Sequence, residues 1–191
     1  MSNNYKKIYV NENNFKILEK ICAIAENDPV AKKDCFSTNW TEDNASVIYQ
    51  VKNGLMKVVI LVENDSIIAM CGYSIHGDIL FCPRRAYVVQ GKRTQNLIAQ
   101  FIMRQIEEEH KDKINYVLTS FNANERGKMH FSLWCNHKYK NFYMKHDKYF
   151  NDFVPLTQDP VLIKNTLQFV IYKKIKPVED LTIENVIRLL V

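Results

Sequence analysis

Three consecutive segments rich in β-branched and apolar residues constrain the fold of this chain more than any other feature of its sequence. The first two segments cover residues 57–63 and 66–73, and the Asn64-Asp65 pair between them is a hairpin signal. His76-Gly77-Asp78 marks a second turn, after which residues 79–89 continue as a third apolar segment. This pattern predicts an antiparallel meander of three strands.

An amphipathic helix follows the meander directly. Over residues 94–110 the apolar side chains share one helical face, and they are Leu97, Ile98, Phe101, Ile102 and Ile106. Residues 114–121 then have the composition of a strand, and residues 124–136 begin another helix. Because a crossover helix usually leaves its two flanking strands parallel, the sheet is predicted to be mixed.

Five further segments complete the expected architecture. A strand at residues 7–10 and a helix with its apolar stripe from Phe15 to Ala25 precede the meander. Strands near residues 149–156 and 167–173 and an amphipathic helix at residues 182–190 follow it. Residues 27–44 show no clear pattern beyond a possible short helix near Pro29. The C-terminal helix has two places to pack, its own sheet or a partner subunit in a homodimer.

The length of the chain and the order of its predicted strands and helices together indicate an α/β protein with a mixed central sheet flanked by helices and a short C-terminal helix. A chain of 191 residues is typical of one domain, so we expect a single domain over residues 1–191. Its core covers residues 57–175, and residues 176–191 form a helical extension.

Charge and cysteine content exclude several classes of protein. The 26 basic and 21 acidic residues give a net charge of +5, which suits a protein that binds a phosphorylated ligand, or an ordinary enzyme, better than a nucleic-acid binder.

The 5 cysteines are odd in number and have no CxxC spacing, so we expect free thiols and no metal site. No apolar run approaches the roughly 20 residues that span a bilayer. These features predict a soluble, cytoplasmic protein.

The turn between residue 89 and the long helix is the most informative place for function. Backbone N–H groups at a helix start lack partners within the helix and can bind a diphosphate. Gly91 adds flexibility there, and Lys92 and Arg93 add two positive charges. An ordinary polar turn between a strand and a helix is the plain alternative.

The segment from residue 87 to residue 98, YVVQGKRTQNLI, resembles the central signature of the GNAT superfamily of N-acyltransferases, V-x-P-x-x-R-G-x-G-I. Val88 matches the strand valine, Arg93 the residue that opens the phosphate loop, and Leu97 the first core residue of the helix. The resemblance extends to the strand order over residues 57–175, and it is closest in character to divergent phage-encoded members.

The same segment departs from the signature at three positions. Gln90 stands in place of the proline, and Thr94 and Asn96 stand in place of glycines that normally let the backbone approach the CoA diphosphate. Asn96 is the milder change because asparagine tolerates unusual backbone angles. Thr94 and Ile98 add bulk to the loop.

The resemblance implies a cofactor site in definite places. Acetyl-CoA, or another acyl-CoA, would be the co-substrate, and the backbone of Val88 and Val89 would hold its thioester where the fourth and fifth strands diverge. The residues expected to cradle the diphosphate are Arg93, Thr94, Gln95, Asn96, Leu97 and Ile98. The implied reaction is direct attack by an amine of a small molecule or a protein, which needs a base, a stabilised oxyanion and an acid for the thiolate.

The family's second motif is less well preserved. Asn124 follows the fifth strand and is expected to contact the pantetheine arm, but the residue seven positions later is Phe131, where the family has a tyrosine. Tyr139 or Tyr143 would have to act as the general acid instead. A catalytically inactive GNAT-fold module that binds a protein or CoA is therefore an open alternative.

Other chemistry-bearing residues have plainer interpretations. His76, Asp78 and Glu125 are positioned as possible bases, although such residues in turns more often cap the backbone. Basic and aromatic residues alternate over residues 137–149, a composition that suits nucleic-acid binding. A solvated helix end with aromatic anchors is the favoured interpretation, so a nucleic-acid-binding module is the least expected alternative.

Overall fold

The structure is a computed structural model that describes residues 5–29, 46–92, 98–135, 152–163 and 165–190. The elements in chain order are β1 (Lys6–Tyr9), α1 (Phe15–Glu26), α2 (Val47–Lys52), β2 (Lys57–Glu63), β3 (Ser66–His76), β4 (Ile79–Val88), α3 (Ile98–His110), β5 (Tyr116–Asn122), α4 (Glu125–Cys135), β6 (Val154–Pro155), β7 (Val161–Ile163), β8 (Thr166–Lys174) and α5 (Ile183–Leu190).

Hydrogen bonding joins the eight strands in the order β1-β2-β3-β4-β5-β8-β6, and β7 pairs with β8. The pairs β1–β2, β2–β3 and β5–β8 are antiparallel. Strands β4 and β5 are parallel, with Ile79–Phe81 in register with residues 116–118. The predicted α/β architecture with a mixed sheet is confirmed.

The first hairpin of the meander forms because its turn residues tolerate left-handed backbone angles. Asn64 and Asp65 have φ values of 48° and 59°, which suits the two-residue turn that matches the twist of antiparallel strands. Gly77 has a φ of 60° in the second turn. Both predicted turns are therefore present, and β3 extends three residues beyond its predicted end at Tyr73.

The chain divides into two compact units, and the first comprises Met1–Ser74 and Cys82–Ile106. Helices α1 and α2 pack there on one face of the strands, where each fully buried aliphatic side chain contributes roughly 1.5–3 kcal/mol. The core residues on this face are Leu18, Ile21, Cys22, Ala25, Val47, Met56, Val58, Ile60, Val62, Met70 and Tyr87.

Helix α3 is anchored to β1 within this first unit. The rings of Tyr5 and Phe101 meet edge to face at 5.5 Å, and the Lys7 amine donates to the side-chain oxygen of Gln105 at 3.1 Å. Ile102 and Ile106 on the apolar stripe of the helix are buried. The predicted amphipathic helix is thus confirmed from Ile98 onward, while residues 94–97 lie outside the described residues.

The second unit comprises Ile75–Phe81 and Glu107–Val191. Helix α5 buries Val186 against the strands of this unit, so the C-terminal helix packs on its own chain. The residues of this core are Ile79, Leu118, Ile163, Val170, Tyr172, Leu181 and Val186.

Helix α4 lies close to β5 in the second unit. A Cβ atom at Gly127 would stand 1.7 Å from the carbonyl oxygen of Asn122, so only glycine permits this approach. Trp134 fills the neighbouring space, with its ring 4.9 Å from that of Phe121 and 5.6 Å from that of Phe153.

Some elements differ from the sequence-based expectation. Helix α2 and strand β7 were not predicted, because six and three residues are too short for a periodic pattern to emerge. Of the strand expected near residues 149–156, the described part holds only Val154–Pro155. Pro29 is the last described residue before the gap and has helical backbone, and the rest of the short helix expected near it lies outside the described residues.

No helix in the described ranges combines the length and the apolarity that are needed to cross a bilayer.

Candidate functional site

The end of β4 is fixed by backbone hydrogen bonds at Val89. The Val89 amide donates to the carbonyl of Ile68 at 2.9 Å, and the Val89 carbonyl accepts from the amide of Lys92 at 2.8 Å. The second bond closes a 3₁₀ turn over Gln90–Lys92. Val88 and Val89 are both half-buried. Val88 is the last residue of β4 and Val89 follows it, and the amide and carbonyl of Val89 are both bonded within the protein.

The turn after β4 combines positive charge with open space. The Lys92 amine lies 2.6 Å from the carboxylate of Glu63, and both side chains are partly exposed, so water screens the pair. No described heavy atom lies within 4 Å of the position that a Cβ atom would take at Gly91. The described residues therefore leave the space beside this backbone unfilled.

The predicted diphosphate loop is only partly described. Arg93, Thr94, Gln95, Asn96 and Leu97 lie outside the described residues. Ile98 is the first described residue of α3, and its side chain is only 4% exposed. Ile98 therefore contributes its side chain to the core, and its amide is among those at the helix start.

Asn124 caps helix α4. Its side-chain oxygen accepts a 2.8 Å hydrogen bond from the amide of Gly127, and its carbonyl accepts from the amide of Lys128 at 2.9 Å. Capping of this kind typically stabilises a helix by about 1 kcal/mol. The exposed side chain thus has a structural role that its residue type explains, and contact with a pantetheine arm stays a prediction.

A cleft of about 590 Å³ opens beside the end of β4 within the first unit. Charged, polar and apolar residues line it together, and they are Lys20, Ala23, Ile24, Asn27, Asp28, Pro29, Tyr87, Val89 and Gln90. The Tyr87 hydroxyl donates a 2.8 Å hydrogen bond to the carboxylate of Asp28. Both residues are buried, and the volume is in the range of small-molecule sites.

Sequence reasoning did not find this cleft. Asp28 and Tyr87 are 59 residues apart, and Asp28 is the second residue of the stretch 27–44 that showed no clear pattern. A buried aspartate next to the end of a helix looks like any polar residue of a loop when only the sequence is considered.

Two adjacent arginines lie in the middle of β4. The Arg84 guanidinium donates to the carbonyl of Leu55 at 2.6 Å and to the side-chain oxygen of Gln50 at 3.0 Å. Arg85 donates from Nη1 to the carbonyl of Arg84 at 2.9 Å. Burial lowers the pKa of both guanidiniums, and the charge of Arg85 lowers the pKa of Arg84 further. The sequence contains a signal for this feature, a pair of charged residues inside an apolar strand, but the sequence-based prediction did not include it.

The solved structures that are similar to this chain include several acetyltransferases. An acetyltransferase of the GNAT family from Staphylococcus aureus Mu50 matches with a TM-score of 0.56 and 12% identity, covering 90% of this chain and 99% of that chain. The aminoglycoside 6'-N-acetyltransferase from Enterococcus faecium matches with a TM-score of 0.57 and 14% identity, covering 92% and 99%. The PaiA N-acetyltransferase from Thermoplasma acidophilum, in complex with coenzyme A, matches with a TM-score of 0.54 and 14% identity, covering 90% and 99%.

The chain has the GNAT fold. Comparisons with protein-family profiles and with curated proteins found no match. The likeness to GNAT proteins therefore lies in the arrangement of strands and helices, which agrees with the loss of glycines from the signature.

The second GNAT motif is altered as the sequence indicated. The ring of Phe131 stacks on that of Phe169, with centroids 4.6 Å apart, so the position where the GNAT resemblance expects a tyrosine serves packing. Tyr139 and Tyr143 lie outside the described residues. A general acid at either tyrosine stays a prediction.

The three residues that the sequence suggested as general bases, His76, Asp78 and Glu125, either interact with other groups of the protein or are exposed. The Asp78 carboxylate accepts from the side chain of Asn115, and its carbonyl accepts from the amides of Asn115 and Tyr116. His76, which lies beside the same turn, also interacts with another group of the protein. Glu125 is exposed in the first turn of α4, where a negative charge favours the helix. Among the described residues, Asp28 is a buried carboxylate that lines a cleft.

Proposed function

We propose that this chain is a divergent GNAT N-acyltransferase that transfers an acetyl or other acyl group from CoA to an amine by direct attack. The observation that carries the proposal is the match of its fold, over at least 90% of the chain, to N-acetyltransferases that include a complex with coenzyme A. The start of the turn that follows β4 supports it, because no described atom fills the space beside Gly91, where a diphosphate would lie.

Acyl-CoA would supply the activated thioester, and the chain would hold it along β4 and the following turn. The backbone of Val88 and Val89 is the candidate for the thioester, as the GNAT resemblance implies. The loop from Arg93 to Ile98 would bind the diphosphate, with the helix-start amides of α3 adding attraction. Asn124 is the candidate for the pantetheine arm.

The cleft beside β4 is where we place the amine acceptor. An amine arrives at neutral pH mainly as an ammonium ion, and the buried Asp28 carboxylate attracts that charge. The Tyr87 hydroxyl fixes the orientation of the carboxylate by its hydrogen bond. Val89 lines the same cleft, so an amine held there lies beside the end of the strand proposed to hold the thioester.

A second candidate function is a GNAT-fold module that binds CoA without turnover. Phe131 favours it, because a phenyl ring stacked in the core has no proton to give to a leaving thiolate. Turnover would then require Tyr139 or Tyr143 as the acid.

Two measurements separate these functions. Isothermal titration with acetyl-CoA is expected to show binding for either function, and the absence of a binding isotherm would remove the CoA proposal. A thiol-release assay with acetyl-CoA over a panel of amines is then expected to show release that depends on the amine. Binding without release on any amine would support the inert module.

A third measurement tests the nucleic-acid alternative. Gel retardation on RNA and DNA at rising salt is expected to show no retention at physiological salt. Retention that weakens steeply with salt would support phosphate-driven binding by the basic segment at residues 137–149.

A further inference from the structure

The cleft beside β4 carries a positive charge as well as the negative charge of Asp28. The positive charge belongs to Lys20, which is an exposed residue of α1 and lines the cleft. Among the described residues, no carboxylate forms an ion pair with Lys20. Asp28, by contrast, is only 6% exposed. One wall of the cleft therefore presents a buried carboxylate and a solvated amine.

These two charges lie apart along helix α1. Lys20, Ala23, Ile24 and Asn27 follow one another at the spacing of a single helical face, and all four line the cleft. From Lys20 to Asn27, the neighbour of Asp28, this face extends over about 10 Å at 1.5 Å per residue. A ligand that contacts both charges must therefore be extended.

Apolar side chains lie on the same face between the two charges. Ile24 is 36% exposed, although α1 buries its opposite face in the core of the first unit. Val89 lines the same cleft from the end of β4. A hydrocarbon chain gains free energy by contact with such side chains, because the contact removes apolar surface from water. Along α1 the cleft thus presents a carboxylate, an apolar section and an amine.

We propose that the acceptor is an amine whose far end carries an anionic group, with an alkyl chain between the two. The ammonium end pairs with Asp28, in the cleft that Val89 also lines, and the anionic end pairs with Lys20. A ligand bound in the reverse direction would place like charges together, so the two side chains fix its orientation. The assignment to an acceptor rests on the proposed acyltransferase function.

A matched series of acceptors tests the inference in the thiol-release assay with acetyl-CoA. All three carry the same reacting amine, while the far end is negative in 6-aminohexanoate, neutral in hexylamine and positive in 1,6-diaminohexane. The value of kcat/KM is expected to fall in this order, by about fivefold between the first two, in keeping with an ion pair at an exposed lysine. Equal values for 6-aminohexanoate and 1,6-diaminohexane overturn the inference.

Two further acceptors define the length and the kind of anion. Glycine holds its two charges too close together to reach both side chains, so it is expected to be a poorer acceptor than 6-aminohexanoate. Equal kcat/KM for these two amino acids contradicts an extended ligand. Comparison of 6-aminohexyl phosphate with 6-aminohexanoate shows whether the cleft prefers a phosphate or a carboxylate at the far end.

Charge reversal assigns the preference to Lys20. Lys20→Glu is expected to make 1,6-diaminohexane a better acceptor than 6-aminohexanoate, and Lys20→Met, which keeps a long side chain without the charge, is expected to make them equal. Lys16→Glu is the matched control, because Lys16 is exposed on α1 and is not among the described residues that line the cleft. An unchanged order in Lys20→Glu, or the same reversal in Lys16→Glu, overturns the inference.

A binding measurement covers the case in which no amine is turned over. Isothermal titration without CoA is expected to give a lower Kd for 6-aminohexanoate than for 1,6-diaminohexane, and Lys20→Glu is expected to reverse this difference. Asp28→Asn is expected to weaken the binding of both ligands, because each uses an ammonium end. Unchanged binding in Asp28→Asn contradicts the placement of that end.

The two proposals fail in different ways. Turnover of amines without a preference for a negative far end leaves the acyltransferase standing and removes the inference about the acceptor. A difference in Kd that Lys20→Glu reverses, in a protein that does not bind acetyl-CoA, keeps the ligand site and removes the acyltransferase. No turnover and no binding of either ligand removes both proposals.

Discussion

The Tyr87 hydroxyl donates a 2.8 Å hydrogen bond to the Asp28 carboxylate, and both residues are buried at the wall of the cleft beside β4. This bond joins Asp28, two residues beyond the end of α1, to β4, the strand that carries the GNAT-like signature. It therefore links the stability of the first unit to the shape of the proposed acceptor cleft.

Tyr87→Phe is expected to destabilise the protein by about 1–3 kcal/mol, because it takes one donor away from a buried carboxylate. Urea unfolding followed by circular dichroism measures the change. Tyr49→Phe is the matched control, since Tyr49 is exposed on α2 and its hydroxyl has water available. Equal stability of the Tyr87→Phe variant and the wild type would contradict the importance of this bond.

Gly127→Ala is expected to destabilise the protein by about 3 kcal/mol. The added methyl group would overlap the carbonyl oxygen of Asn122, a backbone atom that cannot move without displacing β5 or α4. Thermal and urea unfolding of the variant measure the loss. Gly91→Ala serves as the control, because no described atom lies near its Cβ position, and its stability is expected to equal or slightly exceed that of the wild type.

Local sequence signals were sufficient for the meander and its flanking helices. The Asn64-Asp65 pair fixes a hairpin because both residues accept left-handed angles, and the apolar stripe of α3 specifies one buried face. Patterns of this kind involve residues close together in the chain. They predicted the order of the longer strands and helices, and with it the mixed sheet.

The candidate site depended on contacts that no local pattern encodes. Asp28 meets Tyr87 across 59 residues, and the burial of Arg85 follows from its place in the folded strand. Asn124 has a role that the motif did not predict, since its side chain caps α4, while its contact with a pantetheine arm stays a prediction. Short elements such as β7, which forms only by pairing with β8, are likewise products of tertiary structure.

Lys173→Met is expected to cost about 3–5 kcal/mol of stability. The Lys173 amine lies 2.7 Å from the Glu107 carboxylate, and both side chains are largely buried, so removal of one partner leaves a buried charge. The double variant with Glu107→Leu is expected to recover much of this loss. Lys111→Met, which removes an exposed pair with Glu108, is expected to cause no measurable change. An additive double-variant cycle would show that the buried pair is not coupled.

Alkaline pH is expected to destabilise the wild type relative to Cys22→Ala. Burial raises the pKa of the Cys22 thiol to about 12, from about 9 in the unfolded chain. The unfolded state therefore releases this proton at lower pH than the folded state, so the stability contribution is complete below about pH 9 and is lost as pH rises toward 12.

The difference between the two proteins is expected to change by up to about 1.4 kcal/mol per pH unit in that window. Urea unfolding of both proteins at pH 8, about 9.5 and about 10.5 measures it, and the other titrating groups cancel in the comparison. A difference that is independent of pH would show that the Cys22 thiol ionises alike in both states.

Arg93→Glu is expected to weaken acetyl-CoA binding at least tenfold, because Arg93 aligns with the residue that opens the phosphate loop of the GNAT signature and a carboxylate there would repel the diphosphate. Lys138→Glu makes the same change of charge in the basic segment at residues 137–149 and is expected to have a smaller effect. Isothermal titration with acetyl-CoA at one fixed ionic strength compares the two variants with the wild type. Equal weakening by both would mean that net charge alone attracts the ligand, and the diphosphate would then have no specific place at the turn between β4 and α3.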